Sequence, residues 1–141
     1  MPDKRITDSQ RRQVRERANG CCEYCRSQEM FATESFSVDH IVPRKKGGET
    51  KLHNLAYACL GCNGHKSSHT HVVDPATGDL AALFHPRQQK WPEHFTWSED
   101  LTEILGITPT GRATVATLQL NRQNLVNLRH LILLIGKHPP Q

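Results

Sequence analysis

Aromatic side chains are scarce in this chain, with two Trp, two Tyr and four Phe in 141 residues, and hydrophobic residues make up only 36%. So lean a supply for a core points to stabilisation from outside apolar burial, with a structural metal as the first candidate. Long apolar runs are missing too. The run from Leu131 to Ile135 is far too short to span a bilayer, and the opening "MPDKRITDSQRRQ" has no apolar segment of the secretory kind. The expectation is a soluble, cytoplasmic protein with no membrane partner. The length suits one compact unit and is too short for two independent domains of usual size. Neither an internal repeat nor a low-complexity tract is present.

No large charge imbalance exists either: the formal net charge is +4, compatible with a polyanionic partner without requiring one. Its distribution says more. The first twenty residues hold Lys4, Arg5, Arg11, Arg12, Arg15 and Arg17 against Asp3, Asp8 and Glu16, while Arg44, Lys45, Lys46 and Lys51 stand against Glu49. Taken alone, either cluster also reads as an ordinary solvated surface.

What the chain does have is five cysteines, better read in a reducing compartment as metal ligands than as disulfides. Cys22-x-x-Cys25 and Cys59-x-x-Cys62 are separated by 33 residues. Each such turn brings two thiolates close enough to share a metal, and two turns complete a tetrahedral Zn²⁺ site without an open position. Its role would be structural, clamping two distant segments together. Cys21 is the surplus thiol; it could replace Cys22 through a longer turn, but Cys22 is the preferred ligand.

Local signals outline the elements. Thr7-x-x-Gln10 resembles a capping box, and the helix formers from Arg11 to Ala18 stop at Asn19-Gly20. Phe36 to Ile41 is the first convincing strand, followed by the loop "PRKKGGET" pivoting on Gly47-Gly48. "YACLGCNGHKSSH" predicts a cysteine turn and then a short helix around Asn63 to Ser68. "THVVDPATGDLAALF" predicts two short strands about a turn, and Trp91 to Ile107 further short strands or an irregular cover. Thr108-Pro109 starts a helix running to about Leu120. Asn121 can cap a last helix whose Leu125, Leu128, Ile132 and Ile135 form one apolar face, ending at Pro139-Pro140. The cysteines stop near residue 72, which divides a metal-bearing part, 1–72, from an extension, 73–141.

One feature resists a structural explanation. In "VDHIVPRKKGG" a run that begins like a buried strand carries Asp39 and His40 side by side, pointing to opposite faces. Burying either is costly unless it is used. Asn54 follows, then Asn63 and Lys66 directly after the second cysteine pair.

"VDHIVPRKKGG", "LHNLAYACLGCNGHK" and the bracketing CxxC pairs together resemble the HNH endonucleases. The likeness runs through residues 22 to 66, and "LFHPR", "WPEHFTW" and "GITPTGRATV" resemble the tail of small stand-alone bacterial HNH proteins. The resemblance implies an α+β fold: a zinc-stabilised ββα-metal core carrying an extension of short strands and two helices. It further implies a DNA phosphodiesterase with Asp39 and Asn63 as ligands of a catalytic Mg²⁺, Mn²⁺ or similar ion, His40 as general base, and Asn54 bracing the loop that orients it. Carboxylate and amide oxygens suit a hard cation, and a neutral imidazole can take a proton from attacking water. Arg44, Lys45, Lys46 and the basic first helix would hold the DNA backbone, with Lys66 on a phosphate or a nearby carbonyl. Such contacts choose no sequence.

His65, His69 and His71 are further candidates for a metal. His53, His85, His94, His130 and His138 belong to no constellation, and Trp91 and Trp97 read as core in preference to base-stacking platforms. The rival reading is a zinc-ribbon-like DNA-binding or protein-binding module without catalysis, which has no need of Asp39, His40 and Asn63.

Overall fold

Helix α1 (Asp8–Arg17) starts at its capping box: Thr7 Oγ1 accepts from the Gln10 backbone N–H and Gln10 Oε1 from that of Thr7, both at 3.0 Å. These bonds satisfy donors that a helix start otherwise leaves unpaired. Asn19 and Gly20 then take left-handed φ values of +54° and +69° and end the element as anticipated. The computed structural model describes residues 5–140, so Asp3 and Lys4 of the amino-terminal charge cluster lie outside the described residues.

Strands β1 (Ser37–His40) and β2 (Leu55–Ala58) pair antiparallel, with Asp39 opposite Ala56 and His40 opposite Leu55. All of β2 is buried. Helix α2 (Leu60–Lys66) follows and begins three residues before the predicted Asn63, because Cys59 Sγ accepts the Cys62 N–H at 3.4 Å and acts as its N-cap.

The extension contributes β3 (His71–Val73) and β4 (Leu80–Ala82), paired about the predicted turn, then β5 (Phe95–Trp97) and β6 (Ile104–Gly106). Helix α3 (Pro109–Leu118) is capped by Thr108 Oγ1, which accepts from Gly111 N at 3.0 Å, and closes at Gln119 with φ +50°. The architecture is α+β, with three two-stranded antiparallel sheets among the described residues.

The last helix, α4 (Gln123–Leu134), departs from expectation in two places. Asn121 does not cap it: the Asn121 amide instead pairs with Ile104, accepting from its N–H at 2.7 Å and donating to its carbonyl at 2.9 Å, while Arg122 stands at the N-cap. The apolar face is shorter than predicted, with Leu125 and Ile132 buried and Ile135 past the helix end at 62% exposure. Arg129 is buried between them, donating to the carbonyls of Thr102 (2.9 Å) and Leu120 (2.6 Å). A planar guanidinium fork can serve several carbonyls at once, so the charge is tolerated inside.

One core crosses residue 72, joining Val14, Tyr24 and Leu55 to Phe84, Phe95, Ile104 and Leu118. Trp91 belongs to it, its indole N–H donating to Tyr24 O at 3.0 Å. Among the described residues no helix is long and apolar enough to cross a membrane.

The β3–β4 hairpin is tied to α3 by Asp74, which receives Arg112 Nε and NH2 at 3.0 and 2.9 Å. Those guanidinium hydrogen bonds, with help from Ala76 N and Thr77 Oγ1, hold the Asp74 carboxyl well below the usual carboxylate range. A depressed acid stabilises the fold fully above its unfolded value of about 3.9, and that contribution fades as pH falls toward the folded value. Urea midpoints measured between pH 5 and pH 3 should therefore fall more steeply for the wild type than for Arg112→Leu.

Candidate functional site

The Sγ atoms of Cys22, Cys25, Cys59 and Cys62 all lie within 4.8 Å of one another, buried and without a disulfide. Cys25 and Cys59 sulfurs are 3.7 Å apart. A tetrahedral zinc with bonds of about 2.3 Å has sulfur–sulfur edges of about 3.8 Å, so the spacing fits that ion. Each turn also directs an N–H at its own first sulfur, Cys25 N to Cys22 Sγ and Cys62 N to Cys59 Sγ, both 3.4 Å. Without an ion the shared hydrogen bonds lower the Cys59 thiol, while burial raises that of Cys22. Cys21 stands outside the cluster, its sulfur 3.6 Å from Asn19 O.

Two features absent from the sequence reading serve the cluster. Arg122 brings its guanidinium within 3.6 Å of Cys59 Sγ and 3.7 Å of Cys62 Sγ, where it would offset the negative charge of four thiolates about a bound dication. The first cysteine turn is docked onto β2: Glu23 N donates to Tyr57 O at 2.9 Å and Tyr57 N donates to Glu23 Oε2 at 2.8 Å.

The second cysteine turn opens α2, which lies along the Ser37 and Asp39 face of β1. Asn63 Nδ2 donates to Ser37 Oγ at 3.1 Å, and one turn later Lys66 Nζ meets Asp39 Oδ2 at 3.0 Å. Residues i and i+2 of a strand share a face, so Asn63 and Asp39 are brought to the same side of the sheet. Tyr24, inside the first cysteine turn, donates its hydroxyl to Asp39 Oδ2 at 2.8 Å. Burial pushes the Asp39 carboxyl above its usual range, opposed by Lys66 and Tyr24.

The donors suit a hard ion. Among the described residues Asp39 Oδ1 has one hydrogen-bond contact, Lys66 Nζ at 3.3 Å, and so keeps a lone pair, and the Asn63 amide oxygen has no hydrogen-bond partner. Lys66 requires a correction. It is 1% exposed and donates to His40 O and Ile41 O as well as to Asp39, so it cannot lie on a DNA backbone. Its buried ammonium is satisfied by carbonyls and a carboxylate, the second of the two roles anticipated for it.

His40, at the end of β1, is part-buried with Nε2 2.9 Å from Thr50 Oγ1. Burial, reinforced by Arg44, draws its pKa below the ordinary histidine value. Asn54, 4% exposed, stitches the intervening loop: Oδ1 accepts from Val42 N at 2.9 Å, and Nδ2 donates to Val42 O at 3.0 Å and Glu49 O at 2.9 Å. Arg44, Lys45 and Lys46 form an exposed turn in that loop, closed by Gly47 at φ +92°. A groove open to solvent lies between α1 and residues 28–36, lined by Arg11, Arg12 and Arg15 with Phe36 and Tyr57. Arg15 is engaged there by Glu29 at 2.9 Å.

The loop leaves no room at its second glycine. A Cβ on Gly48 would lie 1.7 Å from Val42 O and 2.9 Å from Asn54 Nδ2. Gly48→Ala should therefore pry Asn54 off the loop, at a cost of about 1–3 kcal/mol in stability. The expected readout is a melting temperature lowered by several degrees, measured by circular dichroism.

Of the remaining predicted candidates, His65, His69 and His71 do not join a cluster of three or more metal-binding side chains among the described residues; the four cysteines alone do.

A strand pair and helix closed by buried sulfur in this way belong to the ββα-metal class of domain. The HNH endonuclease family model matches residues 22–69, from the first cysteine turn through both strands to just beyond α2, about a third of the chain. The match supports nuclease activity. No curated protein matched the chain.

Proposed function

We propose that the protein is a metal-dependent endonuclease that hydrolyses DNA phosphodiester bonds, with structural zinc on Cys22, Cys25, Cys59 and Cys62 and Mg²⁺ or Mn²⁺ held by Asp39 and Asn63. The observation that carries this is the meeting of α2 and β1, which lays Asn63 on Ser37, two positions from Asp39 on the strand that ends at His40. A hard dication bound there supplies Lewis-acid stabilisation of charge on the phosphate and its leaving oxygen.

The chain's own groups do the rest. His40, with its depressed basicity, stays neutral at physiological pH and accepts the proton of attacking water. Alternate strand positions send Asp39 and His40 to opposite faces, which separates the metal-binding carboxylate from the base as an in-line displacement requires. Tyr24 holds the carboxylate in place, and Asn54 holds the loop that follows the base. Arg44, Lys45 and Lys46, with Arg11 and Arg12 of α1, neutralise backbone phosphates, which gives salt-sensitive binding with little sequence choice.

Residues 1–72 form the nuclease unit in this reading, and 73–141 a buttress whose Arg122 reaches the sulfur cluster. The test is nicking of supercoiled plasmid. Open-circular product should form with Mg²⁺ or Mn²⁺ and stop when Asp39→Asn replaces the wild type; cleavage unaffected by that variant would refute the reading.

A further inference from the structure

The structure assigns Thr50 as the positioning residue that presents Nδ1 of His40, and not Nε2, as the nitrogen that takes the proton from water. This rests on the reading of His40 as general base. A neutral imidazole carries one proton and one accepting lone pair. Nε2 lies 2.9 Å from Thr50 Oγ1, whereas Nδ1 has no hydrogen-bond partner among the described residues.

Two tautomers are compatible with that contact, and they differ in competence. With the proton on Nδ1, the lone pair of Nε2 accepts from the Thr50 hydroxyl and is masked. With the proton on Nε2, donated to Thr50 Oγ1, the lone pair of Nδ1 is open. Only the second can act. Water then gives its proton to Nδ1 as its oxygen bonds to phosphorus and the bond to the leaving oxygen breaks, that oxygen taking a proton from solvent water; the imidazolium keeps its Nε2–H on Thr50 and returns the Nδ1 proton to solvent.

Thr50 is itself held from two sides. Its carbonyl accepts from Gln10 Nε2 at 3.0 Å, and Gln10 is fixed by the capping box of α1. On the other side the neighbouring Glu49 carbonyl is held by Asn54. A hydroxyl anchored through its backbone at both flanks can set the ring's orientation, the role that a second hydrogen-bonding partner plays for catalytic histidines. The anchor also links the base to the arginine-bearing helix.

The experiment combines ring-nitrogen NMR of ¹⁵N-histidine-labelled protein with cleavage kinetics, on wild type, Thr50→Val and Thr50→Ser matched for melting temperature. In the wild type His40 should show a protonated Nε2 and an unprotonated Nδ1. Thr50→Val should mix the tautomers and lower kcat on the order of tenfold with KM unchanged, and Thr50→Ser should restore both. A Thr50→Val protein that keeps the Nε2–H form and wild-type kcat would overturn the assignment, as would a wild-type ring protonated on Nδ1. Absence of cleavage in the wild type would count against the nuclease reading instead, and the tautomer measurement would still decide the role of Thr50.

Discussion

Alanine at position 40 is expected to slow phosphodiester cleavage by about 10²–10⁴-fold, the usual contribution of a positioned general base. That range corresponds to about 3–5 kcal/mol of transition-state stabilisation. The fold should barely respond, because the imidazole is part-buried and among the described residues makes one side-chain hydrogen bond, to Thr50, worth about 1 kcal/mol net. The contrast between a large kinetic loss and a small shift in melting temperature separates a chemical role from a structural one. The pH dependence carries a sign as well. Since burial and Arg44 lower the His40 pKa, the basic form persists to more acid conditions, and the acid limb of the wild-type rate profile should fall below about 6.5, the value of an unperturbed histidine. Single-turnover rates on a short duplex between pH 5 and pH 8 give both quantities.

Cys59→Ser should lose bound metal, fold and activity together. Cys59 is at once a member of the sulfur cluster, the N-cap of α2 and a contact of Arg122. A structural zinc contributes about 10–16 kcal/mol of binding free energy in small domains, while a whole domain is stable by only about 5–15 kcal/mol. Disrupting the cluster therefore removes as much as the fold has to spare. The lean aromatic supply sharpens the effect, since no large apolar reserve stands behind the clamp. Metal content by atomic spectroscopy and far-ultraviolet circular dichroism, before and after a strong chelator, check the expectation: the chelated wild type should unfold as the variant does.

Features carried by neighbouring residues were legible in the sequence. The capping box of α1, the two cysteine turns, the glycine pivot and the Thr-Pro start of α3 each depend on contacts within a few positions, and each formed where its residues stand. The bracing asparagine was legible through its place between Asp39-His40 and Asn63. What was hidden depends on partners far along the chain. Lys66 looks like a solvated helix lysine until β1 is laid beside it, and Arg129 breaks an apolar stripe until the carbonyls of Thr102 and Leu120 surround it. Tyr24, Thr50 and Arg122 carry no local mark of their roles. Asn121 was misjudged for the converse reason: it has the right chemistry for a cap, but the backbone of Ile104 competes for the same amide.

The central claim is that the sulfur clamp gathers Asp39 and Asn63 about one divalent ion, with His40 facing the same scissile linkage. Titration with Mn²⁺, followed by paramagnetic broadening of the histidine ring resonances, tests it most directly. The ring signals of His40 should broaden first and strongly, and Asp39→Asn with unchanged zinc content should abolish the effect. Broadening centred on His69 or His71, with His40 untouched, would contradict the account.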